Sequence, residues 1–158
     1  MTTDKQPGFA PAASPHASTA ITTADDNIVA GLTSIPSRGD NMPAYHARPA
    51  EAAGALPVVI VIQEIFGVHE HIRDICRRLA QEGYLAVAPE LYFGQGDPNE
   101  YDDIPTLFSE LVSKVPDAQV LADLDHVANW AARNGGDPHR LLATGFCWGG
   151  RIAWLYAA

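Results

Sequence analysis

The sequence predicts an α/β fold with a largely parallel sheet flanked by helices, and three observations support this prediction. The segment Val58–Ile62 is apolar and mostly β-branched, which is typical of a central parallel strand covered by helices on both faces. Amphipathic helical patterns then alternate with short apolar strands, as in βα units. Finally, a glycine-rich turn at 145–150 joins the last strand to a helix that continues to Ala158.

The N-terminal part of the chain is predicted to hold a tail and a hairpin. Residues 1–26 contain few large apolar side chains, so burial cannot offset the entropy of ordering them, and we expect a flexible tail. We assign the folded domain to residues 27–158. Its first strand contains Val29, Leu32 and Ile35. Turn residues follow at 37–41, and a second strand over 42–47 leads to Pro49.

The remaining elements follow from helical periodicity and from the residues that interrupt it. Glycine at position 83 ends the first helix, and Pro116 is suited to the first turn of a later helix. The predicted elements are a helix over 68–80, a strand over 84–88, a loop over 94–99, a short helix over 104–113, a helix over 116–134, a strand over 141–145 and a helix over 151–158.

Composition and charge exclude several classes of function. The length of 158 residues fits one domain, and a formal net charge of −9 at pH 7 argues against binding to nucleic acid. No apolar run is long enough to cross a bilayer, no basic block suggests a membrane surface, and no apolar stretch typical of a signal peptide follows Lys5. Two cysteines cannot form a disulfide framework and fit a reducing compartment, so we predict a cytoplasmic protein.

Cys147 is the candidate nucleophile. It lies in the pattern Gly145-x-Cys147-x-Gly149 between a predicted strand and a predicted helix, which is a nucleophile elbow with cysteine in the serine position. Glycines on both sides allow the close approach of strand and helix. The helix N-terminus favours thiolate, and the backbone N–H of Trp148 is placed to stabilise an oxyanion. The alternative is a structural cysteine on a tight turn. A phosphate-binding loop is excluded because Gly150 is not followed by Lys-Ser/Thr.

Three motifs in order resemble the dienelactone hydrolase (carboxymethylenebutenolidase-like) family of α/β-hydrolases over roughly residues 28–158. They are Gln63-Glu64-Ile65-Phe66-Gly67, Ala88-Pro89-Glu90-Leu91-Tyr92 and Gly145-Phe146-Cys147-Trp148-Gly149-Gly150. The resemblance implies an α/β-hydrolase-like sheet and cleavage of a small-molecule ester or lactone through an acyl-cysteine, with no cofactor or metal. It further implies that Cys147 is the nucleophile, that Glu64 helps to activate the thiol, and that Ile65 and Trp148 supply the backbone N–H groups of the oxyanion hole.

Glu64 is also a candidate without the resemblance. A carboxylate after a central parallel strand lies at the edge where such sheets bind ligands. Beside a thiol it can accept a proton, or hold the thiol protonated until substrate arrives. The alternative is a loop carboxylate that faces solvent.

The sequence departs from the family pattern in two ways. In α/β-hydrolases the acid and the histidine follow the nucleophile, so we expect both beyond residue 158 and expect this chain to be truncated after the elbow. The stretch 94–113 contains no arginine to hold a substrate carboxylate, so dienelactone itself is not expected as the substrate. The alternative function is a catalytically inactive truncated remnant, which could self-associate through an exposed sheet edge.

Other histidines and the second cysteine are assigned no catalytic role. His69 and His71 stand two positions apart and do not share a helix face, so they form a poor metal pair. We expect His126 to lie opposite the apolar stripe of its helix, in solvent. Cys76 falls on an apolar stripe and is predicted to be a core residue. His46 and His139 are likewise not expected to act as the general base.

Overall fold

The structure is a computed structural model that describes residue 21 and residues 23–158. It contains a five-stranded sheet with helices on both faces. The strands are β1 (Ile28–Ser37), β2 (Asp40–Pro49), β3 (Leu56–Ile62), β4 (Leu85–Pro89) and β5 (Gly136–Gly145). The α-helices are α1 (Glu70–Gln81), α2 (Ile104–Glu110), α3 (Asp117–Arg133) and α4 (Trp148–Ala157). Short 3-10 helices lie at Pro98–Glu100 and Val112–Lys114.

The sheet is mixed, with the strand order β1-β2-β4-β3-β5. Strand β3 pairs in parallel with β4 on one side and with β5 on the other. The hairpin of β1 and β2 joins through an antiparallel pairing of β2 with β4. The carboxyl ends of three parallel strands therefore meet at one edge of the sheet. The predicted α/β architecture is confirmed, with an antiparallel hairpin added beside the parallel strands.

Strand β3 is the centre of the hydrophobic core, as its composition predicts. Successive side chains of a strand point to opposite faces, and both faces of β3 are covered. One face, with Val58, Ile60 and Ile62, packs in the cluster that includes apolar residues of α3 and α4. The other face, with Val59 and Val61, packs against the apolar side of α1. The strand that precedes Glu64 is therefore rigidly held.

Several element boundaries differ from the sequence-based expectations; helix α4, for example, begins at Trp148 and not at residue 151. Helix α2 ends at Glu110 and a 3-10 turn follows it. Pro116 precedes α3 with an extended backbone (ψ 137°) instead of forming its first turn. Strand β5 begins at Gly136, not at residue 141. Gly135 reverses the chain with φ +95°, and its carbonyl accepts a hydrogen bond from the Leu56 N–H at 2.9 Å. Pairing with β3 therefore starts immediately after the turn.

The predicted flexible tail lies mostly outside the described residues. At its end, the Thr23 N–H donates to Asp74 Oδ1 at 2.9 Å, and the Gln81 side chain donates to the Ala24 carbonyl at 2.8 Å. Both partners belong to α1, so residues 23 and 24 are held against that helix. None of the helices in the described part of the chain combines the length and apolarity needed to cross a membrane.

Strand β5 has a partner on one side. In the part of the chain that the structure describes, it pairs with β3 and forms an edge of the sheet. Leu142 is 49% exposed, and Trp154 on the neighbouring helix α4 is 80% exposed. Leu141, Phe146 and Leu155 are also exposed. An apolar surface therefore borders an unpaired strand edge.

Candidate active site

The chain turns sharply between β5 and α4, and Cys147 occupies the turn. Its backbone has φ 53° and ψ −117°, a conformation that a residue other than glycine rarely adopts. Such strain costs on the order of 1–3 kcal/mol and persists where the surrounding structure enforces it. Cys147 is exposed, and it is the N-cap residue of α4. This arrangement is the strand-turn-helix geometry that the glycine spacing predicts.

The two flanking glycines are required by close backbone contacts. A Cβ on Gly145 would overlap the carbonyl group of Gly149, the second residue of α4. A Cβ on Gly149 would overlap the carbonyl oxygens of Ile62 and Gln63 at the end of β3. Helix α4 therefore approaches both β5 and β3 so closely that neither position has room for a methyl group. The elbow is therefore fixed against strand β3.

Cys147 lines a cavity of about 620 Å³ together with Ile65 and Trp148. The first residue of α4 is Trp148, and a helix leaves the N–H groups of its first turn without intrahelical acceptors. Its indole ring packs on the Tyr92 ring, with 5.5 Å between ring centroids. The structure thus brings the candidate nucleophile and both candidate oxyanion residues to one cavity.

Glu64 lies just beyond β3, and its described side-chain contact is with His69, not with Cys147. The Glu64 Oε2 atom is 2.7 Å from His69 Nε2. Burial raises the pKa of this carboxyl group, but the hydrogen bond and the charge of His69 outweigh burial and hold the pKa below its usual value. Glu64 does not line the 620 Å³ cavity. The activation of the thiol by Glu64 therefore stays a prediction.

His69 is the residue near the site that sequence reasoning did not assign. Its ring stacks on His71 at 6.2 Å between centroids, and the His71 ring contacts Phe146 at 6.0 Å. A row of rings thus connects the partner of Glu64 with the residue that precedes Cys147. No sequence signal specified this contact, because Glu64 and His69 lie in the irregular connection between β3 and α1, where no periodicity applies.

Glu90 anchors the segment that carries Glu64 and Ile65. It follows β4, and its Oε2 atom accepts a hydrogen bond from the Val68 N–H at 3.2 Å. Burial raises the pKa of Glu90, although this hydrogen bond and the Arg73 charge oppose the rise. Gly67, next to Val68, adopts φ +81°, and a Cβ there would approach the Glu90 carboxylate at 3.3 Å. The motif at 88–92 therefore supports the loop after β3.

The expectation that His126 faces solvent is wrong. His126 is half-buried on α3, and its Nδ1 atom lies 2.7 Å from Ser37 Oγ. Ser37 also donates to the fully buried Asp123 at 2.5 Å. The prediction failed because the hairpin of β1 and β2 covers a helix face that carries polar residues. The cluster links hairpin and helix.

Cys76 is a buried core residue in the cluster beside α1, as predicted. Burial raises the pKa of its thiol to about 12, with the Arg77 charge opposing the rise. Because the thiolate is the reactive form, this cysteine is inert in the folded state. The described residues hold no group of three or more histidine, cysteine or acidic side chains arranged to bind a metal ion.

Comparisons with known proteins agree with the fold and the motifs. The model of the Dienelactone hydrolase family matches residues 42–158. A relative from Escherichia coli (strain K12), described as "Putative carboxymethylenebutenolidase", is 78% identical over all 158 residues. A protein of the same description from Methylorubrum extorquens is 55% identical over 96% of this chain.

Solved structures show the same fold. The crystal structure described as "Putative Dienelactone Hydrolase" from Klebsiella pneumoniae matches 82% of this chain and 54% of that chain with TM-score 0.81 and 85% identity. A dienelactone hydrolase-like promiscuous phosphotriesterase from metagenomic libraries matches 83% of this chain and 54% of that chain, with TM-score 0.65 and 25% identity.

The extent of the matches agrees with the family pattern seen in the sequence. The chain spans 58% of the length of the Escherichia coli relative and 52% of the Methylorubrum extorquens relative. The family match covers the strand before Glu64, the segment that contains Glu90 and the elbow at Cys147. This chain belongs to the dienelactone hydrolase family.

Proposed function

We propose that this chain is part of a hydrolase that cleaves small-molecule carboxylic esters or lactones through an acyl-cysteine intermediate. The observation that carries the proposal is the strained backbone of Cys147 on a turn that opens into a cavity. A cysteine with a purely structural role does not require a strained backbone, whereas residues with strained backbone angles cluster at catalytic sites. The proposed setting is the cytoplasm, where both thiols would stay reduced, and the proposed partner is a small molecule.

The proposed reaction has two steps. The thiolate of Cys147 attacks the ester carbonyl carbon, and the bond between that carbon and the alcohol oxygen breaks. The alcohol leaves with a proton, and the acyl group remains as a thioester. Water then attacks the thioester, which releases the carboxylic acid and returns the thiol. In both steps the negative oxygen would be stabilised by the backbone N–H groups of Ile65 and Trp148.

The proton transfers need a base, and the proposal places it outside the described residues. By the family pattern a histidine oriented by an aspartate takes this role, in the part of the relatives that this chain does not span. Glu64 would assist by adjusting the protonation of the thiol before substrate binds. Its hydrogen bond to His69 keeps it ionised, and its negative charge would favour the protonated thiol until substrate arrives.

The experiment uses an extended protein, in which residues 1–158 are followed by the portion of the Escherichia coli relative that lies beyond the residue aligned with Ala158. Mixed rapidly with p-nitrophenyl acetate, it should release a burst of nitrophenol close to one equivalent per chain. Mass spectrometry of the quenched protein should find one acetyl group on the peptide containing Cys147. Ester turnover with an acetyl group on another residue, or with none, would contradict the proposal.

Exchanging Gly149 for alanine should unfold the elbow. The new methyl group would overlap the backbone carbonyls of Ile62 and Gln63 at the end of β3, and backbone atoms cannot move aside as a flexible side chain can. We expect Gly149→Ala to lower the free energy of unfolding of the extended protein by about 3 kcal/mol or more, or to prevent folding. Urea denaturation followed by circular dichroism measures this.

The matched control is Gly31→Ala in β1, where a Cβ would meet no atom within 4 Å. A surface change of this kind shifts the free energy of unfolding by about 0.5 kcal/mol or less. Equal free energies of unfolding for the Gly149→Ala and Gly31→Ala variants would show that Gly149 is not in close contact with the backbone of β3.

A further inference from the structure

An ion pair lies in the wall of the cavity that Cys147 lines. Arg151 Nη1 donates to Asp117 Oδ1 at 2.9 Å, and Arg151 Nη2 donates to Asp117 Oδ2 at 2.5 Å. Both residues line the cavity together with Cys147. The Arg151 N–H also donates to the Cys147 carbonyl at 3.3 Å, which places Arg151 one helical turn after the nucleophile. The guanidinium is thus paired through two hydrogen bonds at the cavity that Cys147 lines.

The positions of the two residues in their helices explain why the pair forms. Asp117 is the first residue of α3, where a helix N-terminus favours negative charge. Arg151 lies in the first turn of α4, where a positive charge is unfavourable unless an anion compensates it. Asp117 therefore places one anion at the N-terminus of its own helix and beside the Arg151 guanidinium. The hydrogen bonds from Arg151 correspondingly lower the pKa of the Asp117 carboxyl group.

The other lining residues are mostly apolar. They are Ile65, Phe108, Val112, Ser113, Val115 and Trp148. Among the described residues that line this cavity, Arg151 is the one cation, and Asp117 already pairs with it. A carboxylate on a substrate would have to displace Asp117 from Arg151, which leaves the Asp117 carboxylate unpaired, or lie near a guanidinium that Asp117 already neutralises, and neither arrangement is favourable.

We infer that the Asp117–Arg151 pair sets the specificity of this site for esters whose acyl group is uncharged and apolar, and that Asp117 excludes substrates with a carboxylate on the acyl group. This inference rests on the proposed function, since it names the substrate class of the same cavity. Asp117 is a specificity residue in this account and takes no part in bond making. Its removal should release the Arg151 guanidinium to bind a substrate anion.

The test compares two esters of matched length in the extended protein. The neutral ester is p-nitrophenyl butyrate, and the anionic ester is mono-p-nitrophenyl succinate, which carries a carboxylate at the end of its acyl chain. Asp117→Asn should raise the ratio of kcat/KM for succinate over butyrate by about fivefold, the range of an exposed ion pair, and added salt should shrink the gain. The ratio is taken within each variant, so a partly unfolded sample does not alter it.

The matched control is Glu110→Gln. It makes the same change in net charge and breaks an exposed ion pair with Lys114 that does not line the cavity. The ratio should stay at the wild-type value in this variant. Asp117→Asn combined with Arg151→Gln should lose the gain, because the cation is then absent. An unchanged ratio in Asp117→Asn, or an equal rise in Glu110→Gln, would overturn the inference.

A second measurement separates this inference from the proposed function. Iodoacetate and iodoacetamide alkylate a thiol whether or not the protein hydrolyses esters, and the peptide with Cys147 can be quantified by mass spectrometry. The alkylation rate with iodoacetate relative to iodoacetamide should rise in Asp117→Asn. Absence of ester turnover together with this rise would reject the proposed function and retain the electrostatic role of Asp117. Ester turnover through Cys147 with an unchanged alkylation ratio would retain the proposed function and reject the electrostatic role of Asp117.

Discussion

Exchange of Cys147 for alanine in the extended protein should reduce the kcat for hydrolysis of p-nitrophenyl acetate on the order of 10⁴-fold or more. Alanine cannot form the acyl intermediate, and loss of a nucleophile leaves only the contribution of binding and of the oxyanion hole. The burst and the acetylated peptide should both disappear. Because alanine keeps the strained backbone of the turn, circular dichroism and the urea midpoint should remain close to those of the unmodified protein.

The matched control for this result is Cys76→Ala. Cys76 is buried, and burial raises the pKa of its thiol to about 12, so its thiolate is scarce at neutral pH. The variant should keep its turnover and its burst, with a loss of stability of about 1–2 kcal/mol from the small cavity. Equal activity of the unmodified protein and the Cys147→Ala variant would remove Cys147 as nucleophile. Loss of turnover in both variants would indicate damage to folding instead.

Much of the fold was predictable because local steric requirements determine it. Strand β3 is apolar at every position that must be covered, and its register leaves Val58 and Val59 on opposite covered faces. The elbow was predictable for the same reason, since Gly145 and Gly149 are the positions where backbone meets backbone. These requirements act within a few residues and are therefore visible in the sequence.

The contacts that sequence reasoning missed are those that tertiary structure decides. The Glu64 side chain contacts His69 because the loop between β3 and α1 turns at Gly67. No periodicity in the sequence specifies that turn. Arg151 and Asp117 belong to different helices, whose first turns converge at the cavity only when both helices pack on one face of the sheet. Pairs of this kind need the assembled fold, which neither propensity nor spacing encodes.

The polypeptide of residues 1–158, studied by itself, should associate and should bind a hydrophobic dye. In the described structure β5 has no strand partner on its outer side, and Leu142 and Trp154 next to that edge are exposed. An unprotected apolar edge offers its N–H and C=O groups to a second chain. Analytical ultracentrifugation should therefore find a sedimentation coefficient that rises with concentration, and dye fluorescence should exceed that of the extended protein.

A charge placed on the edge strand tests which surface is responsible. Leu142→Lys on β5 should reduce association, because a lysine would carry charge into any strand added there. Leu32→Lys is the matched control, since Leu32 is 73% exposed on β1, the opposite edge of the same sheet. Association that Leu32→Lys abolishes and Leu142→Lys leaves intact would place the contact at β1 and contradict the prediction.

The same polypeptide should show no sustained ester turnover. Among the described residues that share the cavity of Cys147 there is no histidine, so no imidazole there takes the thiol proton or returns a proton to the leaving alcohol. Loss of one triad member lowers kcat by roughly 10⁴-fold, and the remaining rate comes from binding and oxyanion stabilisation alone. With p-nitrophenyl acetate the expected trace is flat, without a burst. A cooperative monomeric melt accompanied by steady turnover would mean that residues 1–158 already contain a base able to act on Cys147.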